Sequence, residues 1–420
     1  MVLSRRLAAS LALVAVLGVA PSSHAVSGAA VLEAGPERFG GEYYASLTPA
    51  LMLDTEAVAL ELRAPFRLRL NGTLSRERGF FRREDWDSLS DTGRALHRLD
   101  VILGQRTFVA RLGALAHQRL GHGTLVCDYG NSSMPDAQPL GLSARLSVGP
   151  VATEVLAGNV LGLDLTAVTL GLEPLSLWGE PNDRMHLVTS AALDWKAEAV
   201  SAQRFGVFGI SLDGTMLRTS AVKLAPYVDF NSSSRGGHGL HAGLLADFSI
   251  MQVDLSLRGE YRHTRGPYQP EYFDVAYPLE RKSALIEPSA LALGEIAKAD
   301  VPWGTNDTWR AEARLRAGPI SFAGQLASRG RDPFTRAQVH DASGVLSVEA
   351  GPMSVSGFAA ARQFAWGHNP ARVLAMGELR YRINPYLHAW TIAGHQYRLR
   401  SEGETAVWQL GGGIGGALGF

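Results

Sequence analysis

The final sixteen residues of the chain, 405–420, alternate between two kinds of side chain up to a terminal phenylalanine. A β-strand sends successive side chains to opposite faces, so this segment predicts a strand with one apolar face and one small or weakly polar face. A soluble edge strand of this kind would leave an unpaired apolar end in water. A closed barrel in lipid removes both problems, because every backbone group is paired and the apolar face contacts hydrocarbon.

This last strand also carries a resemblance to a known class of proteins. Its terminal Phe420, with Leu418 and Ile414 on the same face, resembles the C-terminal signal of Gram-negative outer-membrane β-barrels. The resemblance implies that the chain lies in the outer membrane, and that the barrel assembly machinery recognises this strand as its assembly signal.

The N-terminus predicts export. Arg5 and Arg6 precede an apolar stretch over residues 7–20, and Ala25 follows where a signal peptidase would cleave. We therefore expect a secretory signal peptide over residues 1–25, cleaved after Ala25. The 40 basic residues equal the 40 acidic residues, so the charge balance gives no reason to expect a nucleic acid partner. A single cysteine, Cys127, excludes an intrachain disulfide.

Strand-like segments follow one another through most of the chain. After a flexible periplasmic lead-in at residues 26–41, residues 42–420 predict an all-β fold. We expect a single transmembrane antiparallel barrel of about 18 strands, within a range of 16–20. Pro-containing turns recur between these segments and are candidates for short periplasmic turns, at residues 149–150, 173–174, 318–319, 351–352 and 384–385.

The alternation is clearest in residues 252–262, 307–317 and 375–383, where apolar and charged side chains take turns. A soluble β-sandwich would show the same rhythm, with its charges outside. Small residues such as Ala311 and Ala313 fill a thick sandwich core poorly, but they suffice against fluid lipid. The pattern therefore favours the membrane barrel.

If the polar alternates face inwards, charged residues line the lumen. The functional interpretation is a water-filled channel whose arginines favour anionic or polyhydroxylated solutes. The alternative is a closed barrel whose charges form an internal lattice of salt bridges. The predicted lumen residues are Arg67, Arg69, Arg111, Arg145, Arg258, Arg262, Arg310, Arg314, Arg316, Arg380, Arg382, Glu260, Glu312 and Glu378.

Residues 264–306 form the one long insertion. Loops of this length are usually functional or disordered, and in barrels they can fold inward to narrow the pore or close its mouth. Its aromatic residues Tyr268, Tyr272, Phe273 and Tyr277 are the predicted loop gate, with sugar stacking as a second interpretation.

We read the chain as a porin-like channel and not an enzyme, because no catalytic motif appears, and we expect no metal or cofactor. It is also similar in general build to stand-alone barrels proposed for exopolysaccharide export. That similarity implies a secreted polysaccharide as cargo, and periplasmic polysaccharide-export or envelope proteins as partners beside outer-membrane lipid. The alternatives are a general diffusion porin for small solutes and a non-conducting barrel that docks motility or adhesion machinery.

Overall fold

A computed structural model gives the fold of most of the chain. The predicted signal peptide at 1–25, its cleavage after Ala25 and the terminal Phe420 lie outside the described residues. The structure describes residues 26–71, 80–88, 91–132, 138–178, 185–197, 204–281, 285–286, 295–332, 336–365, 372–400 and 403–419.

Twenty antiparallel strands form one sheet that closes on itself. Each strand pairs with its neighbours in sequence, and the last strand pairs with the first over Ala29↔Gly419 to Phe39↔Gln409. Two strands, β3 and β10, are each built from two segments. The strands are β1 (Ser27–Phe39), β2 (Glu42–Asp54), β3 (Val58–Arg63 and Phe66–Arg69), β4 (Leu96–Leu103), β5 (Phe108–Gly113), β6 (Gly141–Val148), β7 (Val151–Ala157), β8 (Leu165–Leu172), β9 (Met185–Asp194), β10 (Phe205–Gly214 and Leu217–Arg218), β11 (Val222–Ser233), β12 (His238–Ile250), β13 (Val253–Arg265), β14 (Asn306–Ala317), β15 (Ile320–Arg331), β16 (Gln338–Ala350), β17 (Met353–Phe364), β18 (Arg372–Asn384), β19 (Leu387–Arg400) and β20 (Gly403–Gly419).

The predicted single, all-β antiparallel barrel is confirmed, and its twenty strands lie at the upper limit of the expected range of 16–20, above the central value of eighteen. Residues 26–41 were expected to be a lead-in, and this is wrong because β1 pairs with β2 along its whole length. Gly35 and Pro36 interrupt the strand pattern of β1, since both residues are unfavourable inside a strand. The second missed strand, β4, begins in a charged stretch that resembles a loop. These two strands account for the difference between eighteen and twenty.

Both termini of the barrel lie at one end, which we call the terminal end; the opposite end is the loop end. Ser27 pairs with Asp54, and Ala29 pairs with Gly419, so the even strand number returns the chain to its starting side. All five Pro-containing turns recognised in the sequence lie at the terminal end. The connections at the loop end include the two longest between barrel strands, residues 114–140 and 266–305.

The two faces of the sheet differ sharply in polarity. In β13, Leu257 and Tyr261 are 40% and 55% exposed, whereas Arg258 and Arg262 on the opposite face are 5% and 0% exposed. The same alternation exposes large apolar residues on the outer face of most strands, as expected for a barrel surrounded by hydrocarbon. Among the described residues, no helix is long and apolar enough to cross a bilayer.

Two long connections fold into the barrel. The β5–β6 segment (residues 114–140) reaches β11, where His122 contacts Asp229 at 2.9 Å, and β14, where Arg119 contacts Glu312 at 2.8 Å. These strands lie far around the wall from β5 and β6, so the segment must cross the lumen to reach them. The β13–β14 segment (residues 266–305) crosses it as well, because Arg281 binds Asp194 of β9 at 2.8 Å.

The two inward segments are joined by backbone hydrogen bonds. The Phe273 amide donates to the Leu125 carbonyl at 3.2 Å, and the Cys127 amide donates to the Phe273 carbonyl at 3.0 Å. A parallel bridge between Val126 and Phe273 completes this contact. Because one sheet-like pairing links them, the two segments form a single packed body inside the barrel.

Candidate channel interior

The β13–β14 segment is held to the barrel wall through buried carboxylates. The first is Glu271, which contacts Arg262 of β13 at 2.7 Å and Arg310 of β14 at 2.6 Å. Burial alone would raise the pKa of Glu271, but the positive charges of Arg262, Arg310 and Arg329 outweigh it and hold the pKa well below its usual range. Glu271 is therefore ionised and paired.

Two further carboxylates of the same segment bind arginines on the next strands. Asp274 contacts Arg329 of β15 at 3.0 Å and Arg362 of β17 at 2.6 Å. Glu280 also contacts Arg362, at 3.1 Å, and accepts a hydrogen bond from the Tyr397 hydroxyl at 2.9 Å. We call these three acidic residues, Glu271, Asp274 and Glu280, the carboxylate anchor. They tie the segment to one side of the wall, whereas Arg281 ties it to the other.

The four aromatic residues predicted as a loop gate lie inside this packed body. Tyr268, Tyr272, Phe273 and Tyr277 are 1%, 1%, 0% and 2% exposed. Tyr272 stacks on Phe205 of β10 with ring centroids 4.3 Å apart, and Phe273 packs on Tyr277 at 4.9 Å. Their aromatic faces are therefore occupied by protein. The described part of the insertion folds inward, but gating and sugar stacking by these residues stay predictions.

His122 fastens the β5–β6 segment to the wall. Its Nδ1 lies 2.9 Å from Asp229 of β11, and its Nε2 lies 3.0 Å from Asp213 of β10. Burial opposes the charged imidazole, yet the hydrogen bonds to Asp213 and Asp229 outweigh it and raise the pKa of His122 to about 9. The protonated ring can donate to both carboxylates at once. Gly121 and Gly123 on either side have positive φ, which turns the chain so that the ring reaches the wall.

The predicted lumen residues fall into three groups, and the first belongs to the packed body. Arg258, Arg262 and Arg310 are 5%, 0% and 1% exposed, so they are buried under the inward segments. Glu260 binds Arg258 and Arg262. Glu312 binds Arg310 at 2.7 Å. On this side of the wall the charged residues form a network of buried ion pairs.

The second group lies towards the terminal end and contacts open space. The side chains of Arg111, Arg145 and Arg314 are 42%, 60% and 50% exposed, and the residues Arg316 and Arg382 are also exposed. Arg145 lines two adjoining cavities of about 480 Å³ and 580 Å³ on the inner wall. The barrel therefore widens into a vestibule with many arginines at the terminal end.

The third group surrounds a smaller space, which we call the wall cavity. It measures about 160 Å³ and lies against β1–β3 and β18–β20, away from the carboxylate anchor. The predicted residues Arg67, Arg380 and Glu378 line it. The remaining predicted residue, Arg69, binds Glu42 at 3.1 Å nearer the loop end. Other lining residues include Glu33, Glu37, Arg63, Arg94 and Trp390.

Opposite charges meet at the wall cavity. Glu33 of β1 contacts Arg63 at 3.1 Å and Arg380 at 2.9 Å. Glu37, four residues further along the same face of β1, contacts Arg67 at 2.6 Å. The cavity is thus bordered by ion pairs that project from strands on both sides of the barrel closure.

Several interior residues were missed by the sequence reasoning. Glu33 and Glu37 were missed because β1 was read as a lead-in, although their spacing of four places them on one strand face. The carboxylate anchor gives no local pattern, because its partners are distant in the chain. Arg329 and Arg362 could have been found from their strands, since each occupies an inward alternate of β15 or β17.

The assembly signal can be placed in part. Leu418 and Ile414 of β20 are 69% and 57% exposed on the outer face of the barrel. The inner face of β20 carries Gly411 and Gly415, and the side chains of Glu37 and His388 occupy the space above them. The inward-facing glycines of β20 therefore make room for charged side chains in the lumen.

Comparison with known proteins gives similarity of shape only. No protein-family model matches the chain, and no curated protein matches it. Among solved structures, Pseudomonas aeruginosa OccK5 (OpdH) is 12% identical with a TM-score of 0.38, covering 94% of this chain and 98% of that one. Acinetobacter baumannii OccAB4 is 9% identical with a TM-score of 0.38, covering 96% and 100%. Pseudomonas aeruginosa OccK11 (OpdR) is 10% identical with a TM-score of 0.37, covering 94% and 96%.

The fold itself stands on the strand pairing described above, with an even number of strands, full closure and an apolar exterior. This architecture confirms the resemblance of the chain to porin-like β-barrels of the Gram-negative outer membrane.

Proposed function

We propose that the protein is an outer-membrane channel for small hydrophilic solutes. The observation that carries the proposal is the interior: a closed barrel holds charged cavities of about 160 Å³, 480 Å³ and 580 Å³ on its inner wall. A barrel of this strand number encloses an aqueous lumen unless something fills it. The inward segments fill one side, and the charged cavities lie beside them.

The route that we propose lies away from the axis of the barrel, along one side of its wall. Solutes pass the wall cavity between β1–β3 and β18–β20 and reach the vestibule at the terminal end. The packed body excludes the opposite side, because Tyr272, Phe273 and Glu271 are almost completely buried there. The wall cavity is bordered by charges of both signs, which favour polar solutes. The exposed arginines in the vestibule favour anionic solutes.

Small solutes fit this interior better than a hydrated polymer. The inward segments leave spaces of a few hundred Å³ in the described part of the barrel, which suits molecules of the size of single metabolites. Export of polysaccharide remains a prediction that requires displacement of the packed body. The docking function without conduction also remains a prediction.

The proposed setting follows from the two surfaces. The apolar exterior would contact outer-membrane lipid, and β20, with Leu418 and Ile414 facing outwards, would be the strand that the barrel assembly machinery recognises. The periplasm would then lie at the terminal end, where both chain termini of the barrel are found.

The route is tested by modifying engineered cysteines during conductance recordings in planar bilayers. In a Cys127→Ser background, Thr48→Cys places a thiol at the wall cavity, and Ala192→Cys places one under the packed body. We expect a cationic methanethiosulfonate reagent to reduce the conductance of the Thr48 variant and to leave the Ala192 variant unchanged. Silence of the unmodified, folded protein would reject the channel, and modification at Ala192 alone would reject the route.

A further inference from the structure

Arg94 lies beside the wall cavity with donors that have no partner. It belongs to a short helical turn, Thr92–Ala95, in the connection between β3 and β4. The residue is 2% exposed, and its Nε and Nη2 atoms are buried without a hydrogen-bond partner among the described residues. Buried guanidinium donors are costly to leave unpaired, so this arrangement needs an explanation.

The carboxylates near Arg94 are shared with other arginines. Its Nη1 lies 3.3 Å from Asp85, but Asp85 also contacts Arg67 at 3.0 Å and Arg82 at 2.5 Å. Asp91 is 3.7 Å from Nε of Arg94, beyond a good hydrogen bond. The guanidinium is therefore fixed in place by its neighbours while keeping donor capacity towards the cavity.

A second unpaired donor lines the same cavity. Nε1 of Trp390, on β19, is buried and has no hydrogen-bond partner in the part of the chain that the structure describes. Arg94 and Trp390 approach the cavity from different elements, one in a connection and one in the wall. Both unpaired groups donate, and an acceptor-rich ligand would satisfy them together.

Resting on the channel function proposed above, we propose that Arg94 and Trp390 form an oxyanion-binding subsite in the wall cavity. A carboxylate or phosphate group of a passing solute would accept hydrogen bonds from Nη2 of Arg94 and Nε1 of Trp390. No covalent step is involved. The subsite gives the channel a resting place for the anionic end of its solute, and Arg94 would determine the preference of the channel for oxyanions over neutral solutes.

The subsite is tested by solute block of the potassium chloride current through the full, refolded chain. Acetate and inorganic phosphate are the two probes, and glycerol is the neutral probe. Arg94→Met removes the guanidinium but keeps an unbranched side chain. Trp390→Phe removes the indole N–H donor and leaves a smaller aromatic ring. Arg82→Gln is the matched control, because Arg82 contacts the same Asp85 but does not line the cavity.

We expect half-block by acetate or phosphate to need about tenfold more solute in Arg94→Met, as for the loss of a charged hydrogen bond, and severalfold more in Trp390→Phe. Half-block of the current through Arg82→Gln should need the same solute concentration as in the unmodified chain. Glycerol should affect the current through all variants equally. A preference for one probe identifies the source of the oxyanion. Equal block in Arg94→Met and the unmodified chain, with normal conductance, would overturn the subsite and leave the channel standing. If the unmodified chain itself shows no conductance, the channel function is rejected instead.

Discussion

At the scale of single residues, Glu271 shows how much the interior depends on complete pairing. It is 2% exposed and stands between Arg262 and Arg310, at 2.7 Å and 2.6 Å. Glu271→Gln would leave two buried guanidinium groups short of negative charge, and breaking a buried pair in this way costs roughly 3–5 kcal/mol. We expect the variant to lose its compact, heat-resistant form at a lower temperature in gel-shift assays.

The matched control for this change is Glu154→Gln. Glu154 pairs with Arg145 at 3.4 Å in the vestibule, where the Arg145 side chain is 60% exposed. Exposed pairs contribute about 1 kcal/mol or less, so the control should melt close to the unmodified protein. Equal melting of both variants would contradict the anchoring role of Glu271.

His122 predicts a dependence on pH. Its pKa rises from 6.5 to about 9 in the folded protein, so its contribution is fully present below about pH 6.5 and is lost as the pH rises through 9. The shift corresponds to roughly 3 kcal/mol. We expect amide exchange at Gly121–His122–Gly123 to accelerate between pH 7 and pH 10, after correction for intrinsic exchange.

Two variants make the pH test specific. His122→Gln keeps hydrogen-bonding capacity without a charge, so it should remove most of this extra pH dependence. His117→Gln, in the same segment, should leave it intact, because His117 is exposed and contacts Asp128 rather than the wall carboxylates. An unaltered profile in His122→Gln would assign the pH dependence to other groups.

At the scale of secondary-structure elements, the closure between β1 and β20 is unusually tight. A Cβ on Gly413 would collide with the backbone of Ala34, and one on Gly35 would collide with the backbone of Gly412. Gly413→Ala should therefore hinder closure and reduce the folded fraction on a heat-modifiability gel. Gly416→Ala is the control, because the nearest atom, the Tyr386 carbonyl oxygen, is 3.9 Å away. Equal folded fractions of the two variants would show that the closure can accommodate an added methyl group.

The elements also show which part of the fold could be predicted from sequence. Strands with an uninterrupted alternation, such as β13 and β14, were identified with nearly correct bounds, since period-two patterning depends only on neighbouring residues. β1 was missed because Gly35 and Pro36 oppose a strand locally, although pairing on both sides stabilises it. β3 carries a break of its own, because Ala64 and Pro65 interrupt its ladder with β2.

At the scale of the whole molecule, the packed body divides the lumen into a filled side and an open side. Deleting residues 268–303 of the β13–β14 segment, with a short Gly-Ser turn as replacement, should enlarge the single-channel conductance severalfold. The reason is that the deletion removes one of the two inward segments of the packed body, including the aromatic cluster around Tyr272 and Phe273. Conductance is compared in planar bilayers.

A triple variant serves as the intermediate case for this prediction. Glu271→Gln, Asp274→Asn and Glu280→Gln together keep the volume of the segment but remove the charges of the carboxylate anchor. Frequent switching between a small and a large conductance would show that the anchor holds the closed arrangement. A deletion that conducts like the unmodified chain would contradict the division of the lumen.

The interior could be predicted only in part. Alternation identified the inward arginines, but it could not separate Arg262, which is buried under Glu271, from Arg145, which faces open space. That difference depends on where the inward segments lie. Their positions are set by contacts between residues far apart in the chain, such as Arg362 with Asp274 and His122 with Asp229, for which a single sequence carries no periodic signal.

The carboxylate anchor also constrains the order of assembly. Its partners Arg262, Arg310, Arg329, Arg362 and Tyr397 belong to strands between β13 and β19, all of which precede the strand that closes the ring. Burying the three carboxylates of the anchor would create a large desolvation barrier if the segment had to enter a finished barrel through its mouth. We therefore expect the segment to bind the open, curved sheet first. The pairing of β20 with β1 would then close the barrel around a segment that is already bound to the inner wall.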